Sequence, residues 1–240
     1  MPIAHPNERW APSCLKGDIM TSVKKYSITS IAMFVAFIIF TILVKTVDVK
    51  PLGPESSLIG FSSINSAFIK TIGYNDFMYT LSTVLGYIAI LTVPFFGLFG
   101  LMQLKMKGGF SKVDKDLYVL AGFYVMVLAS YVFFEKVIIN YRPIILDEGL
   151  EASYPSSHTM MAVSFMLAAA HQFNVRLKKN KKAFVIACVV IMLGIILGRL
   201  FSGVHWLTDI IGAILLSLAW FFLYAAIATS MIEKKRLNKK

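Results

Sequence analysis

Two arginines, two histidines and an aspartate in the second half of the chain have the types and spacing for phosphoryl chemistry. His205 and Asp209 are four residues apart, so on a helix they share one face. A carboxylate placed there holds one imidazole nitrogen and leaves the other free as a nucleophile or base. His158 ends the stretch YPSSH (154–158) and supplies a second imidazole, suited to protonating a leaving group. Pro155 in that stretch falls near a first helical position, where its missing N–H costs nothing. Ser156, Ser157 and the free N–H groups that follow then form an anion site at a positive helix end. Arg142 and Arg199 add planar, permanently charged forks that suit phosphate oxygens. The chemistry that uses all of them is phosphoryl transfer without a metal: the arginines neutralise charge, one histidine attacks and the other acts as acid.

The elements that must carry these residues are membrane spans. Of the 240 residues, 57% are hydrophobic and the mean hydropathy is +0.70, whereas a soluble domain is about 45–50% apolar. Six apolar stretches approach the roughly 20 residues a helix needs to cross a bilayer: 27–47, 79–104, 117–139, 155–173, 183–201 and 205–231. The expected fold is all-α, a polytopic six-transmembrane-helix bundle. Residues 1–26 form a cytoplasmic N-terminal segment, 27–231 the membrane domain and 232–240 a basic cytoplasmic tail. Pro94, with Gly86, Gly97 and Gly100 nearby, is expected to kink or thin the second span. Residues 56–73 place Leu58, Phe61, Ile64, Phe68 and Ile72 at helical spacing, an amphipathic interfacial helix at the outer face or ordinary packing in an outer loop. The first 20 residues are polar and do not resemble a cleavable signal, and Met20 is an alternative start. Cys14 and Cys188 suggest no disulfide framework.

The net charge of +11 invites a nucleic-acid reading until the charges are located. With the N-terminus in the cytoplasm, 18 of the 24 lysines and arginines fall on that side. The positive-inside rule then places both termini in the cytoplasm. The basic character is topological, anionic membrane lipids are its natural partners, and no nucleic acid is implied. The remaining six are Lys45, Lys50, Lys70, Lys136, Arg142 and Arg199. Following the spans up and down brings Arg142, His158, Arg199, His205 and Asp209 to one extracytoplasmic level.

Each of these residues has an ordinary reading when taken alone. An arginine near a span end snorkels to headgroups, a histidine at a helix start caps it, and a His–Asp pair at i, i+4 is a local polar contact. Their meeting at one level favours a site. His171 lies about 20 Å along the helix from His158 and belongs to the cytoplasmic end. Glu135, Asp147, Glu148 and Glu151 read as solvated loop or span-end charges, and their spacing matches no metal motif.

These segments resemble the type-2 phosphatidic acid phosphatase family, which carries KxxxxxxRP, PSGH and SRxxxxxHxxxD. The corresponding stretches are KVIINYRP (136–143), PSSH (155–158) and GRLFSGVHWLTD (198–209). The resemblance implies that His205 is the nucleophile, forming a phosphohistidine, that Asp209 orients it, and that His158 is the general acid. It implies phosphate binding by Arg142, Arg199, Ser156 and, less directly, Ser157 and Lys136, with no metal or other cofactor. Three positions depart from the pattern. Ser157 replaces a glycine, Gly198 replaces a serine, and Lys136 precedes Arg142 by six residues where the pattern has seven, with Glu135 in the expected place.

An outer-face site in a small membrane protein suggests a lipid phosphate or isoprenoid pyrophosphate substrate: phosphatidic acid, phosphatidylglycerol phosphate or undecaprenyl pyrophosphate. The charge bias and size suit a bacterial plasma membrane. Two other functions use the same residues: a phosphotransferase passing the phosphoryl group to an acceptor other than water, and an anion or lipid transporter. Transporters bind near the midplane and often show repeats, whereas the charges here cluster at one end.

Overall fold

The computed structural model describes residues 11–146 and 149–237. Among these residues seven α-helices appear in chain order: α1 (Ala11–Thr46), α2 (Ser62–Ile72), α3 (Asp76–Lys107), α4 (Lys115–Lys136), α5 (Ser157–Arg176), α6 (Lys181–Phe201) and α7 (Leu207–Leu237). A two-residue antiparallel pairing, β1 (Lys50–Pro51) with β2 (Leu58–Ile59), lies between α1 and α2. Helix ends follow local chemistry. Asn75 caps α3 by accepting from the Met78 N–H at 3.1 Å, and Gly108, in the left-handed region (φ 65°), ends it after Lys105 and Lys107.

Among the described residues, five helices are long and apolar enough to cross a membrane: those covering Met20–Thr46, Asp76–Lys107, Lys115–Lys136, Lys181–Phe201 and Leu207–Ile232. The helix at the expected fourth span, α5, is present but does not reach that apolarity. Its position explains why. It packs against α3, α4, α6 and α7, and its buried residues include Thr159, Ser164 and Gln172 beside a run of alanines, Ala168 to Ala170. A helix walled in by protein needs small residues for close packing more than lipophilic ones. The other central helix, α7, packs on α1, α4 and α5.

Several expected elements differ in extent. The 56–73 segment is not one helix: Leu58 stands exposed on β2, Phe61 precedes α2 and stacks on Phe40 of α1, and α2 begins at Ser62. The buried side of α2 carries Ser62 and Asn65, while Ile64 faces outward. Helix α3 continues unbroken through Pro94. The fourth helix stops at Lys136 and the seventh starts at Leu207, two residues inside the expected span.

At the end of α5 remote from His158, Arg176 pairs with buried Asp116 at 2.6 Å. Gln172 donates to Asp116 and to the Tyr224 hydroxyl, whose oxygen lies 3.4 Å from His171 Nδ1. His171 is thus packed into a polar cluster among α4, α5 and α7.

Candidate active site

The turn joining α6 to α7 carries His205, which is 1% exposed. Its imidazole and Asp209 meet, but not as two residues on a continuous helix. His205 precedes α7, Trp206 is the residue just before the helix, and Asp209 is in its first turn. The Asp209 carboxylate folds back, its Oδ2 accepting the Trp206 backbone N–H at 3.0 Å, as an acidic residue does in a capping box. That fold brings Oδ2 to 3.6 Å from His205 Nδ1. The separation exceeds hydrogen-bond range, so it aligns the two groups without bonding them. Asn140 donates from Nδ2 to the other carboxylate oxygen at 3.3 Å.

Arg142 is brought in by the loop after α4. That loop doubles back through an isolated Tyr141–Ala152 bridge, with Arg142 N–H donating to Glu151 O and Ser153 N–H to Asn140 O. The Trp206 indole donates to Tyr141 O at 2.7 Å, tying the loop to the His205 turn. Arg142 Nη1 then lies 3.4 Å from His205 Nε2, and its Nε forms an ion pair with Glu151 Oε2 at 2.6 Å. Glu151 is therefore not a solvated loop charge, because it holds one edge of the guanidinium whose other edge faces the imidazole.

Arg199, on α6 and 1% exposed, donates to Thr83 Oγ1 at 2.7 Å and lies over the Tyr79 ring at 4.7 Å. Thr83 also lines a small pocket with His158, Gly86 and Tyr87. His205 lines a different one, with Tyr131, Glu135, Ser153, Tyr154 and Ser157. The two histidines line different small pockets but lie near enough for His158 to act electrostatically on His205. Burial, then the charges of Arg142 and Arg199, hold the imidazole of His205 well below the usual histidine range, with His158 adding to the effect. A neutral imidazole is the form that attacks phosphorus.

Ser156 is fully buried and caps α5 weakly, accepting from Thr159 N–H at 3.5 Å, while its own N–H donates to the Asp209 carbonyl at 3.1 Å. Ser157 has no positive φ, so a serine fits where the pattern has glycine. Gly198 has a steric reason: a Cβ there would stand 2.7 Å from Ser82 Cβ and 3.2 Å from Met78 O, so α6 meets α3 too closely for serine. Lys136 is exposed at the end of α4 and makes no hydrogen bond or ion pair among the described residues. Because α4 ends there, its six-residue offset from Arg142 carries no helical rotation. Asp147 and Glu148 lie outside the described residues.

Sequence reasoning missed Asn140, Thr83, Tyr79 and Trp206 as partners. Asn140 had one available signal, an amide two residues before Arg142 at a span end; Thr83 and Tyr79 sit in an apolar run with none.

No curated protein sequence matches the chain. A solved structure, the first transmembrane PAP2-type phosphatidylglycerolphosphate phosphatase from Bacillus subtilis, shares its fold with a TM-score of 0.60 at 22% identity, covering 83% of this chain and 95% of that one. The sequence matches the PAP2 superfamily over residues 20–232, which take in all the elements that converge on His205, and the chain belongs to that superfamily.

Proposed function

We propose that the protein is a multi-pass plasma-membrane lipid phosphatase that works through a phosphohistidine on His205. The observation that carries this reading is the two-sided setting of one imidazole. Nδ1 faces the Asp209 carboxylate at 3.6 Å, and Nε2 faces Arg142 Nη1 at 3.4 Å. Nε2 accepts from the Arg142 guanidinium here, and it becomes free to attack once phosphate oxygens take that donor. Burial keeps it neutral.

In the first step Nε2 bonds to phosphorus as the bond to the leaving oxygen breaks, and that oxygen takes a proton from His158. Asp209 stabilises the positive charge left on the ring. Arg142 and Arg199, with Ser156 and Ser157 at the start of α5, bind the phosphoryl oxygens. In the second step water attacks phosphorus and gives its proton to His158. The N–P bond breaks and inorganic phosphate leaves. Two guanidiniums supply the positive charge, so the reaction runs without a metal or other cofactor.

Helix α5 is counted as a sixth span: its 20 residues rise about 30 Å, the thickness of the hydrocarbon core. Both termini are then cytoplasmic, the site faces the extracytoplasmic side, and α2 lies at that surface as an interfacial helix. Substrates are lipid phosphates: phosphatidylglycerol phosphate, undecaprenyl pyrophosphate or phosphatidic acid. The test is phosphate release from these three in detergent micelles with EDTA, comparing the unaltered chain with His205→Ala. Release that resists EDTA and disappears in the variant is expected. A folded protein that releases no phosphate from any of them refutes hydrolysis and favours transfer or transport.

A further inference from the structure

The first turn of α7 carries Asp209, yet the residue before it supplies no side-chain acceptor. Backbone N–H groups at a helix start need an acceptor, normally an oxygen on the preceding side chain. Here that residue is Trp206, which has none, and the Asp209 carboxylate is already occupied by the Trp206 N–H. The acceptor comes instead from far along the chain. Asn65 of α2 is 0% exposed, and its Oδ1 accepts the Thr208 N–H at 3.4 Å. Its Nδ2 donates to Thr208 Oγ1 at 3.1 Å and to Gly60 O at 2.8 Å.

We propose that Asn65 is a positioning residue for the His205–Asp209 pair, capping α7 from the outer segment and fixing the turn on which the nucleophile sits. The proposal rests on the phosphatase reading of His205. Asn65 is itself well anchored, since Gly60 is pressed so closely on the end of α1 that a Cβ would stand 1.7 Å from Val44 O. The same outer segment grips the turn at two further points. Asn75 N–H donates to Ser202 O at 3.0 Å, and Gly203 (φ 73°) faces Gly73 O at a distance a Cβ would close to 2.1 Å. Those two are backbone contacts. Asn65 is the side chain that reaches α7 itself, at Thr208, between the nucleophile and its orienting carboxylate. Without it the first turn frays, and Asp209 no longer holds its alignment on Nδ1.

The experiment compares the full chain with Asn65→Ala, Asn65→Asp and Thr208→Val in detergent micelles, per folded molecule. It measures kcat and KM on phosphatidylglycerol phosphate, and labelling of His205 by diethyl pyrocarbonate relative to His171 by mass spectrometry. Misplacing a reacting group lowers kcat by about 10–100-fold in Asn65→Ala, with KM within about twofold because phosphate binding is untouched. Labelling of His205 rises. Asn65→Asp keeps an acceptor for the Thr208 N–H but loses the donor to Gly60 O, so it recovers part of the loss. Should Asn65→Ala fail to fold, the other two variants carry the same readouts, Thr208→Val giving a smaller loss because its N–H remains. Unchanged kcat and unchanged His205 labelling overturn the positioning role while leaving the phosphatase reading intact. An unaltered chain that releases no phosphate, with labelling still raised in the variants, overturns the phosphatase reading and leaves the coupling standing.

Discussion

Replacing Asp209 by asparagine separates the electrostatic role of the carboxylate from its structural one. The side chain bonds the Trp206 N–H through Oδ2 at 3.0 Å and Asn140 Nδ2 through Oδ1 at 3.3 Å. An asparagine keeps its oxygen for the Trp206 N–H and turns its NH2 toward Asn140. A half-turn of the Asn140 amide then presents an oxygen to it, and the bond re-forms. The stability cost is at most one hydrogen bond, about 0.5–1.5 kcal/mol, so the helix start and the His205 turn persist. Catalysis loses far more. In the proposed mechanism the imidazole becomes cationic when Nε2 bonds to phosphorus, and a neutral amide facing Nδ1 no longer stabilises it. In a hydrolase whose histidine relies on a buried aspartate, the same change costs about 10⁴ in kcat. The 3.6 Å spacing here is looser than a hydrogen bond, so the expected loss is about 10³–10⁴-fold, or about 4–5.5 kcal/mol of barrier. Single-turnover phosphate release beside thermal unfolding in detergent measures both quantities. A variant that melts normally and retains activity within tenfold refutes the assigned role of Asp209.

Two further expectations come from the same geometry. Arg142→Gln removes the cation 3.4 Å from Nε2, the largest cause after burial of the lowered His205 affinity for protons. The imidazole then protonates at higher pH, so the acid limb of the kcat/KM profile moves upward from well below pH 6.5; an acid limb that stays in place speaks against the contact. The same shift bears on stability: with the folded value depressed, the unfolded chain binds the extra proton first, so this contribution is lost as pH falls below about 6.5. Gly198→Ser, which restores the family residue, puts a Cβ 2.7 Å from Ser82 Cβ and is expected to destabilise the protein by about 1–3 kcal/mol; Ser82→Gly recovers it, and thermal unfolding of the single and double variants measures both.

Much of the architecture was legible in the sequence because lipid imposes a strong, local requirement. A helix that meets hydrocarbon must be apolar along its length, and α1, α3, α4, α6 and α7 declare themselves that way. The same rule explains why α5 was read correctly as a helix but falls short as an apolar span. Its neighbours are other helices of the chain, and buried contact selects small and polar residues that a hydropathy window discounts. The residues of the proposed site stand out in the sequence for a different reason. Arg142, His158, Arg199, His205 and Asp209 are polar groups in an oily chain, and such groups stand out because they are costly without a role.

What the sequence by itself determined, then, was which residue types were available and which apolar helices lie beside them in the chain. Their mutual geometry was decided by the tertiary structure. Asp209 reaches His205 through a helix start folded back on Trp206, not through helical spacing. Arg142 is aimed by Glu151, nine residues away in the chain but adjacent across a doubled-back loop. Gly198 stands where serine was expected because α3 passes too close. The cap on α7 comes from Asn65, 143 positions earlier. A periodic pattern reports the environment of one helix at a time, whereas hydrogen bonds and close approaches between distant segments exist only once those segments are packed together.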